Sequence, residues 1–176
     1  MKVILKSKKV FVQFFLFLSI ITAGIINAQE SIICNIDGKN FEGKIESAAL
    51  VSLGNEDFIQ IRAVDDDKIM YLYIKTAKLK NEPPVTLNYK DHDPEKGQTP
   101  DAEIVWAPDG PERPQWNSVD GALKVSQYDP ANKTISGTFE FVVEKFSYSS
   151  KANDDRPSVK IKDGKFNDVQ YKIEKK

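Results

Sequence analysis

The sequence predicts an all-β fold: an antiparallel β-sandwich or an open β-barrel of about nine to ten short strands. Three observations point there. Apolar and polar residues alternate with period two, most clearly over residues 58–64 and 134–143. Turn-forming groups, among them Asp37-Gly38, Gly54-Asn55, Asp65-Asp66-Asp67 and Asp129-Pro130-Ala131-Asn132, interrupt the alternation at short intervals. No segment carries a sustained helical apolar pattern with caps.

The strands follow in chain order. Residues 31–36 run into Asp37-Gly38, a strong hairpin dipeptide. Residues 41–52 read as one long strand or two short ones. In 58–64, Ile59, Ile61 and Ala63 share one face while Gln60 and Arg62 share the other. Residues 69–74 are apolar on both sides, the pattern of a strand covered on both faces. Short strands are expected at 85–89 and 102–107, and loops at 90–101 and 108–114. A helical turn at most fits near 77–81 and 118–121. Residues 121–128 and 134–143 form the next pair. Ile135, Gly137, Phe139, Phe141 and Val143 share a face, so Gly137 predicts a bulge or a ring packed over the backbone. Val159 and Ile161 precede Asp163-Gly164, which reads as a turn into a last strand carrying Val169, Tyr171 and Ile173.

Residues 1–28 have the parts of a secretory signal peptide. Lys2, Lys6, Lys8 and Lys9 precede an uncharged apolar run over 10–26, and small residues end at Ala28. Cleavage there would leave 29–176 as one all-β domain, exported to the periplasm or the exterior. The chain holds 25 basic and 26 acidic residues. Loss of a segment with four lysines and no acid leaves 21 against 26. That balance argues against nucleic acid as a partner, because phosphate binding needs a basic face. After residue 28 no apolar stretch is long enough to cross a bilayer as a helix. Cys34 is the single cysteine, so no internal disulfide can form. Within Ser31-Ile32-Ile33-Cys34 it reads as a small buried hydrophobe. Lipid attachment would want small residues where Ile32 and Ile33 stand.

Three stretches carry a family resemblance: Ile36-Asp37-Gly38-Lys39-Asn40-Phe41, the run from Gly121 through Ile135-Ser136-Gly137-Thr138-Phe139 to Phe141, and Val159-Lys160-Ile161-Lys162-Asp163-Gly164-Lys165-Phe166. Together they resemble a Bacteroidetes family of small envelope or lipoprotein-like domains of unknown function. The resemblance implies a β-rich fold and an envelope setting, and transfers no catalytic residue. The chain departs from the pattern at its start, where no lipid-bearing cysteine follows the signal.

No catalytic constellation emerges, so a non-enzymatic domain without cofactor or metal is expected. His92, the single histidine, sits in an acidic loop, and no serine lies in a Gly-x-Ser-x-Gly turn to serve it. The clusters at Asp65–Asp67, Asp91 to Glu95 and Asn153 to Asp155 lack the spacing of a calcium loop. Trp106 and Trp116 flank a Pro-rich loop holding Arg113. These three are the ligand-binding candidates, since indole offers a broad rigid face and a stiff loop loses little entropy on binding. Closing one end of the core is the plainer role for both rings. Lys160, Lys162 and Lys172 could hold an anion, or simply solvate a strand face and discourage edge pairing. The expected function is binding of a ligand or glycan through end loops. The alternative is an accessory, protein-binding component of an envelope complex.

Overall fold

The computed structural model describes residues 30–80, 83–92, 94–146 and 156–173, so the signal peptide expected over 1–28 lies outside the described residues. Ten strands appear: β1 (Ser31–Ile36), β2 (Lys39–Leu53), β3 (Glu56–Asp65), β4 (Lys68–Lys75), β5 (Val85–Asn88), β6 (Ala102–Ala107), β7 (Trp116–Asp129), β8 (Thr134–Lys145), β9 (Ser158–Gln170) and β10 (Lys172–Ile173). A 3-10 turn over Thr76–Lys80 and a shorter one over Pro94–Lys96 are the only helical pieces among the described residues.

The sheet closes on itself. Pairing runs β1-β9-β8-β7-β6-β4-β3-β2, and β1 also pairs with β2. The result is an antiparallel closed barrel of eight strands with two additions: β5 pairs with β7, and β10 lies parallel to β2. The all-β, antiparallel expectation holds; the sandwich and the open barrel are both corrected. The physical reason is strand length and bulging. Strand β2 has 15 residues, β7 has 14 and β9 has 13. Bulges interrupt their registers, and each bulge adds twist and bend until the two edges meet.

Strand β9 shows how. Asp163-Gly164 does not turn the chain. Lys162 and Asp163 together face the single residue Glu140 of β8, and the strand continues to Gln170. A second bulge places Asn167 and Asp168 opposite Ser136. Asp163 and Asp168 take positive φ of 54° and 47°. The Ser136 hydroxyl accepts from the Asp168 amide at 2.8 Å. Likewise residues 118–121 are no helical turn but part of β7, bulged between Ser118 and Asp120.

Glycines let the wall curve around large rings. Phe166 is paired with Gly137, Phe139 with Gly164, and Phe141 with Gly121. A Cβ at Gly137 would lie 2.7 Å from both Phe166 Cζ and the Lys124 carbonyl oxygen. The ring packing and bulge expected at Gly137 are both present. Inward residues of every ring strand form one apolar core, including Ile32, Cys34, Ile59, Ile61, Leu72, Ile104, Leu123 and Phe166. An eight-stranded barrel is narrow enough for such side chains to fill it. Lysines, glutamates and threonines face outward, the reverse of a barrel that meets lipid. No helix among the described residues is long and apolar enough to cross a membrane.

One seam is stitched by a side chain. Strand β6 pairs with β7 only at Val105–Asn117 and Trp106–Trp116. The buried Ser118 hydroxyl then accepts from the Ile104 amide at 2.8 Å and donates to the Ile104 carbonyl at 3.0 Å. Beyond it β5 takes over the edge of β7, and Leu79 and Leu87 of this excursion enter the core.

Candidate ligand-binding site

Because the ring strands alternate in direction, the β1–β2 turn, the β3–β4 turn and the β6–β7 loop share one end of the barrel. Asp37 and Gly38 both take positive φ, 47° and 84°, as a two-residue hairpin turn requires. Asp66, with φ 54°, tightens the β3–β4 turn. The pairing of Ile69 with Ala107 then brings Pro108 beside Lys68.

A hollow of 250 Å³ opens between these three connections. Trp106, Phe41, Ile36 and Pro108 give it apolar walls; Lys39, Asn40, Asp65 and Lys68 contribute its polar groups. Trp106 is only 5% exposed. Its ring meets Phe41 edge to face at 5.1 Å and 82°, a favoured aromatic geometry that fixes the indole in place. Lys68 Nζ donates to Asp65 at 3.1 Å, and this carboxylate raises the lysine pKa above its ordinary value. Lys39 makes no ion pair among the described residues. The arrangement therefore offers an aromatic wall, one amide and one uncommitted ammonium.

The structure divides the three candidate residues. Trp106 and Trp116 are direct cross-strand partners, so their side chains lie on the same, inner face. Both pack on the core, Trp106 fully and Trp116 in part. The core-capping role thus accounts for both rings, and Trp106 in addition lines a hollow. Arg113 lies elsewhere. It is exposed and lines a separate depression of 560 Å³ with Pro111, Pro114 and Phe146. Sequence reasoning missed Phe41, Lys39, Lys68 and Pro108. The signal that could have found them is turn parity: in an up-and-down barrel every second connection falls at the same end.

The other candidates resolve as structural groups. His92 Nδ1 contacts the Tyr89 carbonyl, and its ring meets Tyr89 edge-on at 5.3 Å. Burial pushes the nearby Glu103 carboxyl above the usual range, and His92 pulls it the other way. Asp65 serves Lys68, and Asp91 accepts from Asn88 at 2.7 Å. Asp93 and the Asn153 to Asp155 cluster lie outside the described residues. Among the described residues no three His, Cys, Asp or Glu side chains gather to hold a metal. Cys34 points into the core, and burial pushes its thiol up to about 12, as expected of a small hydrophobe.

The opposite end is built differently. Lys75, 6% exposed, donates to Glu56 at 2.8 Å and to the Thr99 carbonyl at 2.9 Å, with Asp101 at 3.6 Å. Lys78 reaches the other Asp101 oxygen at 3.1 Å. Lys75, with help from Thr99, holds the Glu56 carboxyl below the usual carboxylate range. This network ties β3 and β4 to the segment before β6. Every buried polar side-chain atom among the described residues has a partner. The chain matches no family model, no curated protein and no solved structure, so a functional reading rests on its own geometry.

Proposed function

We propose that the chain is an exported, non-enzymatic binding domain of the cell envelope, and that it holds a small cyclic ligand in the hollow beside Trp106. The observation that carries this reading is a concave site with a rigid aromatic wall and a polar rim at the open end of the barrel. Such a mixture of apolar wall and few polar groups is how proteins orient small ligands. A sugar ring or a small aromatic acid would lay an apolar face on Pro108 and the exposed edge of Trp106. Lys39 and Asn40 would take its charged or hydroxyl groups. The envelope setting draws its support from residues 1–28 and from the sequence resemblance.

The test uses the two tryptophans. A Trp116→Phe variant leaves Trp106 as the sole indole. Titration with panels of monosaccharides, uronates and aromatic carboxylates should change its fluorescence for one class, saturably. Adding Lys39→Glu and Asn40→Ala should abolish that change while the fold persists by circular dichroism. No saturable response from any panel would refute the reading.

A second reading has its own observation. Phe146, 45% exposed, stands beside Pro111, Pro114 and Arg113 at the same end. That patch suits a protein partner in an accessory role. Arg113→Glu would weaken such a contact and leave the Trp106 titration unchanged.

A further inference from the structure

The lysine row leads to a second site on the outer wall. Lys160 and Lys162 lie on β9, which is paired on both sides, with β1 and β8. A strand in a closed ring has no free edge, so protection against edge pairing cannot explain them. Lys172 is different: it lies on β10, whose only strand partner among the described residues is β2.

Two depressions, of 540 and 400 Å³, run over the outer face of β7, β8 and β9. Ala122 and Glu140 line both, so the two join into one groove. Register fixes its layout. One row runs Thr86, Lys124, Thr138, Lys165 across β5, β7, β8 and β9. A parallel row runs Asp120, Val142, Lys160. Between them lie Asn88, Ala122 and Glu140, with the bulge of Lys162 and Asp163 facing Glu140. The small side chain of Ala122 keeps the floor low. Adjacent strands are ~4.8 Å apart, so Lys124 and Lys165 bracket the groove at about 10 Å.

Four lysines, 124, 160, 162 and 165, thus face three acids, Glu140, Asp163 and Asp120. Asp120 is already engaged by Lys90 at 2.8 Å. None of the four lysines forms an ion pair among the described residues. On a chain with more acids than bases this is a local excess of positive charge.

We infer that this groove binds an acidic polysaccharide, a chain whose sugar rings carry carboxylates. Lysine ammoniums are mobile point charges and donate to carboxylates at varied angles. Thr86, Thr138 and Asn88 can hydrogen-bond ring hydroxyls, while Glu140 and Asp163 accept from those hydroxyls. A purely anionic polymer would find those two carboxylates repulsive; a hydroxyl-rich one uses them. The apolar side chains that line the groove point mainly into the core, which disfavours a lipid surface and offers no ring on which bases could stack.

The test is calorimetric titration of residues 29–176 with de-esterified oligogalacturonate, alongside dextran, dextran sulfate, single-stranded DNA and phosphatidylglycerol vesicles. The expected result is saturable binding of oligogalacturonate, none of dextran, and weaker binding of the other anions. Amide shifts on binding should centre on Ala122, Thr138 and Lys165. Lys162→Glu with Lys165→Glu should weaken binding at least roughly tenfold, since like charges across an interface are costly. Lys124→Ala provides a milder change in the same direction, and Lys172→Glu should have no effect. Absence of oligogalacturonate binding, binding unchanged in the groove variants, or equal affinity for DNA or vesicles would each overturn the inference. Failure of the Trp106 titration would leave it untouched, because the two sites share no residue.

Discussion

The two ends of the barrel use the same kinds of residue to opposite effect. At one end Lys75 is buried against Glu56, Asp101 and the Thr99 carbonyl, and the segment between β4 and β6 folds over the core. At the other end Lys68 pairs with Asp65, Lys39 has no ion-pair partner among the described residues, and a hollow reaches down to Trp106. A satisfied, desolvated network closes an end; short turns with solvated charges leave one accessible. The open end therefore carries the binding proposal and the closed end carries stability.

The largest effect should come from breaking the closed end. Lys75→Ala leaves Glu56 without its ammonium and Asp101 with Lys78 alone, and loss of one partner from a buried pair costs up to about 3–5 kcal/mol. Urea unfolding should report a midpoint shift of that order. Acidification should remove the part of that contribution that the Glu56 carboxylate carries. The folded Glu56 carboxyl titrates below its unfolded value, so its contribution is present above the unfolded value and lost as pH falls through the folded one. The stability gap between the parent chain and Lys75→Ala should thus narrow from neutral pH into the acid range. A gap that stays constant would show that the charges at this end are not what holds it. The smallest effect belongs to the open end. Lys68→Ala removes a solvent-screened pair and should leave the urea midpoint essentially unchanged. A cost comparable to Lys75→Ala would erase the contrast.

Much of the fold was legible locally. The alternation in residues 58–64 and 134–143 is the inward and outward face of β3 and β8. The hairpin at Asp37-Gly38, the short strand β6 and the ring over Gly137 were each written in a few neighbouring residues. What was not legible is closure. Asp163-Gly164 has the composition of a hairpin turn, but only Asp163 adopts positive φ, which makes a bulge, whereas Asp37 and Gly38 both do. Composition alone does not separate these outcomes; the partner strands decide. Closure also needs β1 to find both β2 and β9, a contact between the two ends of the chain. The site suffered likewise. Trp106 and Trp116 were visible as a pair, but their shared inner face and the separation of Arg113 depend on register across β6 and β7.

Cys34 reports directly on the closed ring. It sits on the strand that joins both edges, faces the core, and is the only thiol in the chain. Reaction with an aromatic disulfide reagent at pH 8 should be negligible for the folded protein and reach one equivalent once urea unfolds it. Prompt, full labelling under native conditions would mean that the strand is not held between β2 and β9, and the closed barrel would be contradicted.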